Sequence, residues 1–440
     1  MPNPYLPSWE YIPDGEPRVF GDRVYIYGSH DRKNETEFCD HKIKTWSASV
    51  DTPGEWVCHG HIFHTAPDRD HPSSTTHTSK QIYAPDVVEK DGKYYLYTYI
   101  AESQGCVSVS DKPEGPFTFL SCYKFDKGES RDNGIFNDPG VLVDDDGRVF
   151  IYCGFQEPYM AELNPDNMYE VIKGSHKIDV IPPSPPFDYF EASSPRKIGD
   201  TYYFIYSPKT APRLDYATAS SPTGPYTYRG TIIDNSLDYP GGNNHGSICK
   251  IKDQWYIFYH RMTNNTIMSR RGCVERIEIR EDGSIPQVEM TSLGFDTSLN
   301  PYRETPAEYA CVLTGGCFIT ELNVFRRPVT NITGGCVIGF KYFDFGEDYS
   351  NTTMTLALKC RGQGGKAKVQ VYADDAKDGV KLGDVIIDTH DGDYRGVMKN
   401  LTGRHAIFFV VEHTYTGWDW AVKPMETRQL FDLDSFVFLK

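Results

Sequence analysis

The chain has 440 residues, 39% hydrophobic and 24% charged, a composition that builds two or three packed cores and excludes wholesale disorder. Its 61 acidic against 45 basic side chains leave a formal net charge of −16, which repels phosphate backbones and anionic lipid. Nucleic-acid and membrane partners are therefore not expected, and a neutral ligand is.

The opening Met1-Pro2-Asn3-Pro4-Tyr5 has neither a basic start nor an apolar run, so no secretory leader is expected. No stretch reaches the length of a membrane span. The 11 cysteines are scattered without a CxxC pair, so a zinc site is not expected. Thiols inside apolar runs (Cys153, Cys249, Cys336) point to a reducing compartment, and cytoplasmic placement is the expectation.

One pattern, a Gly/Asp turn followed by a Tyr-rich apolar run, occurs five times. The copies are Gly21–Tyr27, Asp91–Tyr97, Asp146–Tyr152, Gly199–Tyr206 and Lys252–Tyr259. The closing tyrosines Tyr27, Tyr97, Tyr152, Tyr206 and Tyr259 are 70, 55, 54 and 53 residues apart. Asp-Gly between apolar runs signals a hairpin, and the interval leaves room for two more strands per copy. The pattern predicts an all-β chain whose residues 1–300 form a five-bladed β-propeller. The long first interval places an insertion between Asp31 and Tyr83, with a polar surface loop around 67–76. From about Pro306 the repeat stops and short alternating strands take over, so residues 306–440 are predicted to form a jelly-roll-like β-sandwich.

Repeats of this kind place equivalent residues around one axis. Asp14, Asp138, Glu191 and His245 lie 13, 14, 15 and 14 residues before their closing tyrosines, and Tyr83 holds the equivalent position in the second copy. Three carboxylates and a histidine on one axis raise each other's electrostatic cost, which points to use in chemistry. Glycoside hydrolysis needs one carboxyl that holds a proton and another that is ionised. Trp9 and Tyr83 are candidate walls of a sugar pocket. Asp86 reads as a structural strand residue, His260-Arg261 as either brace or substrate contact, and Asp144-Asp145-Asp146 as a solvated turn.

Several of these motifs resemble glycoside hydrolase family 43, in that family's order. They are Asn3-Pro4-Tyr5-Leu6-Pro7 with Pro13-Asp14-Gly15, then Tyr83-Ala84-Pro85-Asp86, Asn137-Asp138-Pro139, Glu191-Ala192-Ser193-Ser194-Pro195, Asn244-His245-Gly246-Ser247, and Tyr259-His260-Arg261 with Ser269-Arg270. The resemblance spans about residues 3–295. It implies an inverting enzyme with Asp14 as general base, Glu191 as general acid and Asp138 orienting Glu191. It also implies Arg270 near the sugar hydroxyls, and His245 as an axial histidine beside Ca2+ or another largely hydrated cation. No cofactor is implied for the chemistry itself. Gly15 departs from the proline usual after the base, which loosens the backbone there.

The implied activity is exo-acting release of α-L-arabinofuranosyl, and also β-D-xylosyl, units from hemicellulose-derived oligosaccharides of arabinoxylan or arabinan. Endo-arabinanase action and non-catalytic sugar binding are the alternatives. A phosphorylase would need a basic phosphate pocket, and only Arg261, Arg270 and Arg271 cluster. Ile338–Gly346 and Leu430–Phe436 resemble a family 6 carbohydrate-binding module. That second resemblance implies sugar platforms among Tyr394, Tyr415, Trp418 and Trp420, and a structural Ca2+ for which Glu321 is the candidate ligand.

Overall fold

The computed structural model of the chain describes residues 1–440 except 34, 102–104, 123–135, 179, 237–238, 240–242, 348–350 and 415–426. Five antiparallel sheets follow one another in the first part of the chain. Blade I is Glu16–Phe20, Arg23–Tyr27, Lys42–Ser49 and Val57–His64. Blade II is Ile82–Lys90, Lys93–Ile100, Cys106–Ser110 and Thr118–Cys122. Blade III is Gly140–Val143, Val149–Cys153, Tyr159–Leu163 and Lys177–Ile178. Blade IV is Tyr189–Ile198, Thr201–Pro208, Arg213–Ala219 and Thr227–Asp234. The hairpin between the first two strands of each blade is the sequence repeat. In blade II both turn residues, Asp91 (φ 52°) and Gly92 (φ 75°), take the left-handed conformation that a tight two-residue hairpin requires.

Blade V departs from the expected four strands. It has three, Ile248–Ile251, Gln254–Thr263 and Thr266–Ile277. The N-terminal segment lies along the third: Tyr5 N–H donates to Gly272 O at 3.3 Å, and the Asn3 amide clasps Val274 by Nδ2 to O at 3.0 Å and Val274 N to Oδ1 at 2.9 Å. The chain start thus supplies what the last blade lacks and closes the ring.

Two partly buried arginines bolt the blades together. Arg18 of blade I makes a paired contact with Asp86 of blade II (2.9 and 2.6 Å) and donates to Val141 O of blade III at 3.0 Å. Arg196 of blade IV reaches Glu16 at 2.5 Å and Ile248 O of blade V at 3.1 Å. Asp86 is therefore structural. Asp144 is a correction to the reading of 144–146 as solvated: its carboxylate is buried, accepting from Lys197 at 2.5 Å and Tyr202 Oη at 2.6 Å, while Asp145 and Asp146 stay exposed.

The remaining strands, from Thr305–Pro306 to Phe431–Leu439, form one 11-stranded antiparallel sheet folded over itself as a sandwich. Its two halves meet through Phe340 and Phe409 on one side and Phe436 on the other, with ring centroids 4.7 and 5.0 Å apart. A single 3-10 turn, Ala307–Tyr309, is the helix found among the described residues. The sandwich is bonded to the propeller by buried cations: Arg261 donates to Ala310 O at 2.8 Å and Glu308 O at 2.7 Å, and Arg271 reaches Glu308 at 3.1 Å. Glu321 belongs to the same junction. It accepts from Tyr11 Oη at 2.5 Å and faces Lys33, Arg327 and Arg271 at 3.4, 3.5 and 3.8 Å. A carboxylate ringed by three cations is neutralised already, so Glu321 does not suit the calcium role expected of it. Trp418 and Trp420, like Tyr415, lie outside the described residues.

Candidate active site

Residues just before or near the start of the innermost strands of blades I to IV share a backbone feature. Asp14 (φ 56°), Ala84 (φ 37°), Asp138 (φ 50°) and Ala192 (φ 66°) all sit in the left-handed region. For a residue with a Cβ this costs about 1–2 kcal/mol and persists only where surrounding contacts impose it. The kink breaks the two-residue alternation of the strand and turns Asp14, Asp138 and Glu191 toward a common cavity. Close approach fixes the neighbouring glycines: a Cβ on Gly140 would stand 2.2 Å from Ser193 O of the next blade, and one on Gly246 would stand 1.8 Å from Phe258 O within blade V.

The cavity measures about 210 Å3 and is lined by Asp14, Asp138, Glu191 and Arg270, the amides Asn137 and Asn243, and the aromatics Phe38, Tyr83, Tyr99 and Phe155. Tyr83 and Tyr99 stack at 5.6 Å. Trp9 is absent from this lining; after the Pro7–Glu10 turn (Glu10 N to Pro7 O, 2.9 Å) it stands 56% exposed. Phe38, Tyr99, Phe155 and Asn243 were not anticipated from sequence. Phe38, Phe155 and Asn243 lie on connections outside the repeat, and Tyr99 lies two residues past the closing Tyr97 on its strand, where the repeat does not mark it.

Asp14 is held on every side. Arg270 Nη1 donates to Oδ1 at 2.9 Å, Ser29 Oγ donates to Oδ2 at 2.6 Å, and the Asp14 N–H donates to His260 Nδ1 at 3.1 Å. The other ring nitrogen of His260 meets the Asn243 carbonyl. Burial and Arg270 push His260 down to about 3, so the ring is neutral, protonated on Nε2 and accepting on Nδ1. Burial pushes Asp14 up, but Arg270, His260, His245 and the Ser29 hydrogen bond outweigh it and hold its carboxyl at about 2. Arg270 is itself clamped by Asp31, through Nε to Oδ2 at 2.9 Å and Nη2 to Oδ1 at 3.0 Å, and its guanidinium lies 5.0 Å from the Phe38 ring centre.

Glu191 has the opposite environment. Burial and the negative charge of Asp14 push it up to about 7; Asn243 Nδ2 stands 3.5 Å from Oε1. Asp138 is raised too, by burial and then by Glu191 and Asp14, although it accepts the Ala192 N–H at 3.1 Å. The Asp138–Glu191 pair therefore keeps a proton at neutral pH while Asp14 is ionised. One cavity holds a group that keeps a proton and an ionised carboxylate, the division of labour that general acid–base hydrolysis requires.

His245 is buried, its Nδ1 3.6 Å from Asp138 and 3.8 Å from Asp14, and burial lowers its pKa. The nearby charges acting on it include Glu16, whose Oε1 is a buried acceptor with no protein partner. One neutral imidazole and one unpartnered carboxylate oxygen suit a cation that keeps most of its water, and do not make an all-protein calcium cage.

A family model described as "Glycosyl hydrolases family 43" matches residues 18–285. A "Xylosidase/arabinosidase" of Thermoclostridium stercorarium is 41% identical over 417 residues, covering 82% of this chain and 86% of that one. Among solved structures, a family 43 arabinoxylan arabinofuranohydrolase from Bacillus subtilis in complex with cellotetraose matches with a TM-score of 0.53 at 24% identity, covering 100% of this chain and 97% of that one, a likeness of fold through both domains. A family 43 β-xylosidase/α-arabinofuranosidase from a compost metagenome, in complex with xylotriose and in a calcium-free form, matches with a TM-score of 0.54 at 27% identity over 66% of this chain and 99% of that one.

Proposed function

The chain belongs to family 43 of the glycosyl hydrolases, and on that premise we propose that it is an exo-acting enzyme that releases α-L-arabinofuranosyl units, and β-D-xylosyl units in the same pocket, from arabinoxylan or arabinan oligosaccharides. The observation that carries the reading is the split between Asp14, held at about 2, and Glu191, raised to about 7, inside one cavity of about 210 Å3. A cavity of that size accommodates about one sugar ring, which supports exo action. The names of the relatives support the sugars.

In this reading Glu191 protonates the leaving oxygen, Asp14 takes a proton from the attacking water, and Asp138 keeps Glu191 protonated and oriented. His260 and Arg270 are fixed around Asp14 so that its carboxylate addresses the water. Asn243 Oδ1, buried and without a protein partner, is placed to accept from a sugar hydroxyl. Water attack opposite the leaving group inverts the anomeric centre, with acid and base roughly 6.5–9.5 Å apart. His245 and Glu16 would hold a hydrated cation such as Ca2+ at the axis, supplying positive charge that steadies His245. The sandwich is read as a carbohydrate-binding module of the family 6 type, and the 11 free thiols support a reducing, cytoplasmic setting.

Hydrolysis of aryl α-L-arabinofuranoside and aryl β-D-xyloside, followed by NMR of the first-formed anomer, tests this. Release of inverted pentose from both is expected, and Asp14→Asn should abolish turnover while sparing sugar binding. Retained anomeric configuration, or cleavage only of internal linkages in arabinan, would overturn the mechanism or the exo reading respectively.

A further inference from the structure

Three histidines outside the catalytic cavity converge on one point. His61, His64 and His71 each offer a ring nitrogen, and these atoms all lie within 4.8 Å of one another. The ring centres are 5.0, 5.1 and 5.5 Å apart. The first two lie on the strand Val57–His64, three residues apart, where regular alternation would put them on opposite faces. A bulge prevents this. His61 pairs with Lys44 and Phe63 with Ile43, so Ile62 is the extra residue and His64 is rotated onto the face of His61.

The third histidine is returned by a tight turn. Asp68 N–H donates to His71 O at 2.9 Å, and Asp68 Oδ1 accepts the backbone N–H of Asp70 at 2.9 Å and of His71 at 2.8 Å. The outgoing chain is then pinned beside His64, with Ser74 N to His64 O at 2.8 Å and His64 N to Ser74 Oγ at 3.0 Å. Two separate backbone irregularities thus bring the imidazoles together.

We propose that His61, His64 and His71 form a binding site for a borderline divalent transition-metal ion such as Zn2+, with Asp68 as the carboxylate that orients His71. Imidazole nitrogens prefer Zn2+ and its neighbours to Ca2+ or Mg2+. The His71 ring donates from Nδ1 to Asp68 Oδ1 at 2.9 Å, which leaves Nε2 with its lone pair free for metal, the usual carboxylate–histidine–metal relay. His64 Nδ1 is buried with no partner, a polar atom that a metal would satisfy. Zinc–nitrogen bonds of about 2.0–2.1 Å put tetrahedral ligand atoms about 3.4 Å apart, so binding draws the exposed His71 inward and leaves the fourth position to water. The absence of a cysteine pair excludes only thiolate zinc sites, and this one uses none.

The ion would tie the loop around 65–75 to blade I. Lys42, the pairing partner of His64, bridges Asp68 and Asp40 at 3.8 and 3.9 Å, and Asp40 lies two residues from Phe38 of the cavity wall.

The test is a Co2+ titration of the full chain without an affinity tag, after chelator treatment. Expected are one equivalent bound, visible absorption of a low-coordinate nitrogen site, displacement by Zn2+, and a higher melting temperature with Zn2+. His61→Ala and His71→Ala should each remove the absorption, and Asp68→Asn should weaken affinity roughly 10–100-fold. His71 is exposed, so His71→Ala decides the matter should His61→Ala fail to fold. Absence of the absorption in the unaltered chain, or its persistence in His71→Ala, which would locate the ion at the axis or elsewhere, overturns the proposal.

Discussion

Asp31 grips Arg270 with both carboxylate oxygens, and the remaining terminal nitrogen of the same guanidinium is 2.9 Å from Asp14 Oδ1. Asp31 therefore reaches Asp14, the proposed base, without lining the cavity, through one rigid fork. Asp31→Asn removes the charge that locks the fork and turns an N–H toward a buried cation. A misplacement of about 1 Å at the reacting groups costs up to about 100-fold, so kcat is expected to fall roughly 10–100-fold with a smaller change in KM. Asp31 and Asp14 repel each other across the shared guanidinium, so removal of the Asp31 charge should move the acidic limb of the kcat/KM profile to lower pH. An unchanged profile would separate Asp31 from the base.

As the proposed general acid, Glu191 must be protonated to act, and burial pushes its carboxyl up to about 7. Activity is therefore expected to decline about tenfold per pH unit above 7, as the acid is lost. Glu191→Gln should abolish that limb. It should also cost about 100- to 10,000-fold on alkyl glycosides or oligosaccharides and far less on nitrophenyl glycosides, whose leaving groups need no proton. Equal losses on both substrates would assign the acid elsewhere.

The repeat was legible because a hairpin is a local event: Asp91-Gly92 dictates its turn, and Tyr27, Tyr97 and Tyr152 recur wherever a blade closes. The carboxylates were legible because a repeat offset carries Asp14, Asp138 and Glu191 to equivalent places. Asp31, Phe38 and Asn243 were not, since they lie on connections whose paths depend on contacts far away in sequence, as when Asp31 N–H bonds to Tyr11 O at 2.9 Å. Asp144 shows the same limit in reverse. Three consecutive acids suggest solvent, yet Lys197 and Tyr202 from the next blade bury the first. The fourth strand missing from blade V was likewise not legible, because the N-terminal segment that lies along its third strand is 271 residues away in sequence where Asn3 meets Val274.

The closing tyrosines use their hydroxyls as staples. Tyr27, Tyr97 and Tyr152 donate to the carbonyls of Pro113, Met168 and Pro222, each on an outer connection of the following blade, at 2.7, 2.8 and 2.6 Å. Blade V has no outer hairpin, and Tyr206 instead donates to Phe187 O at 2.8 Å, beside its own blade. Phenylalanine would preserve the packing but strand the Met168 carbonyl at Tyr97, and at Tyr152 would leave the Pro222 carbonyl only the longer bond from Tyr226 Oη at 3.2 Å. Tyr97→Phe and Tyr152→Phe should each lower stability by about 1–3 kcal/mol, read as a fall in the urea midpoint at unchanged slope. Their staples join different blades, so the double variant should approach the sum of the two.

Glu191, the proposed general acid, should also weaken the fold. A carboxyl raised from 4.5 to about 7 on folding favours the folded state fully below pH 4.5, and that contribution is lost as pH rises through 7. The penalty on the ionised protein approaches roughly 3 kcal/mol, the free-energy equivalent of such a shift. Glu191→Gln cannot ionise and escapes it. Melting temperatures measured at pH 5 and pH 8 should therefore converge in the variant relative to the parent, with the variant the more stable of the two at pH 8. A variant that loses as much stability as the parent between those pH values would mean that Glu191 ionises freely in the folded protein, and the proton needed for catalysis would have to reside on Asp138.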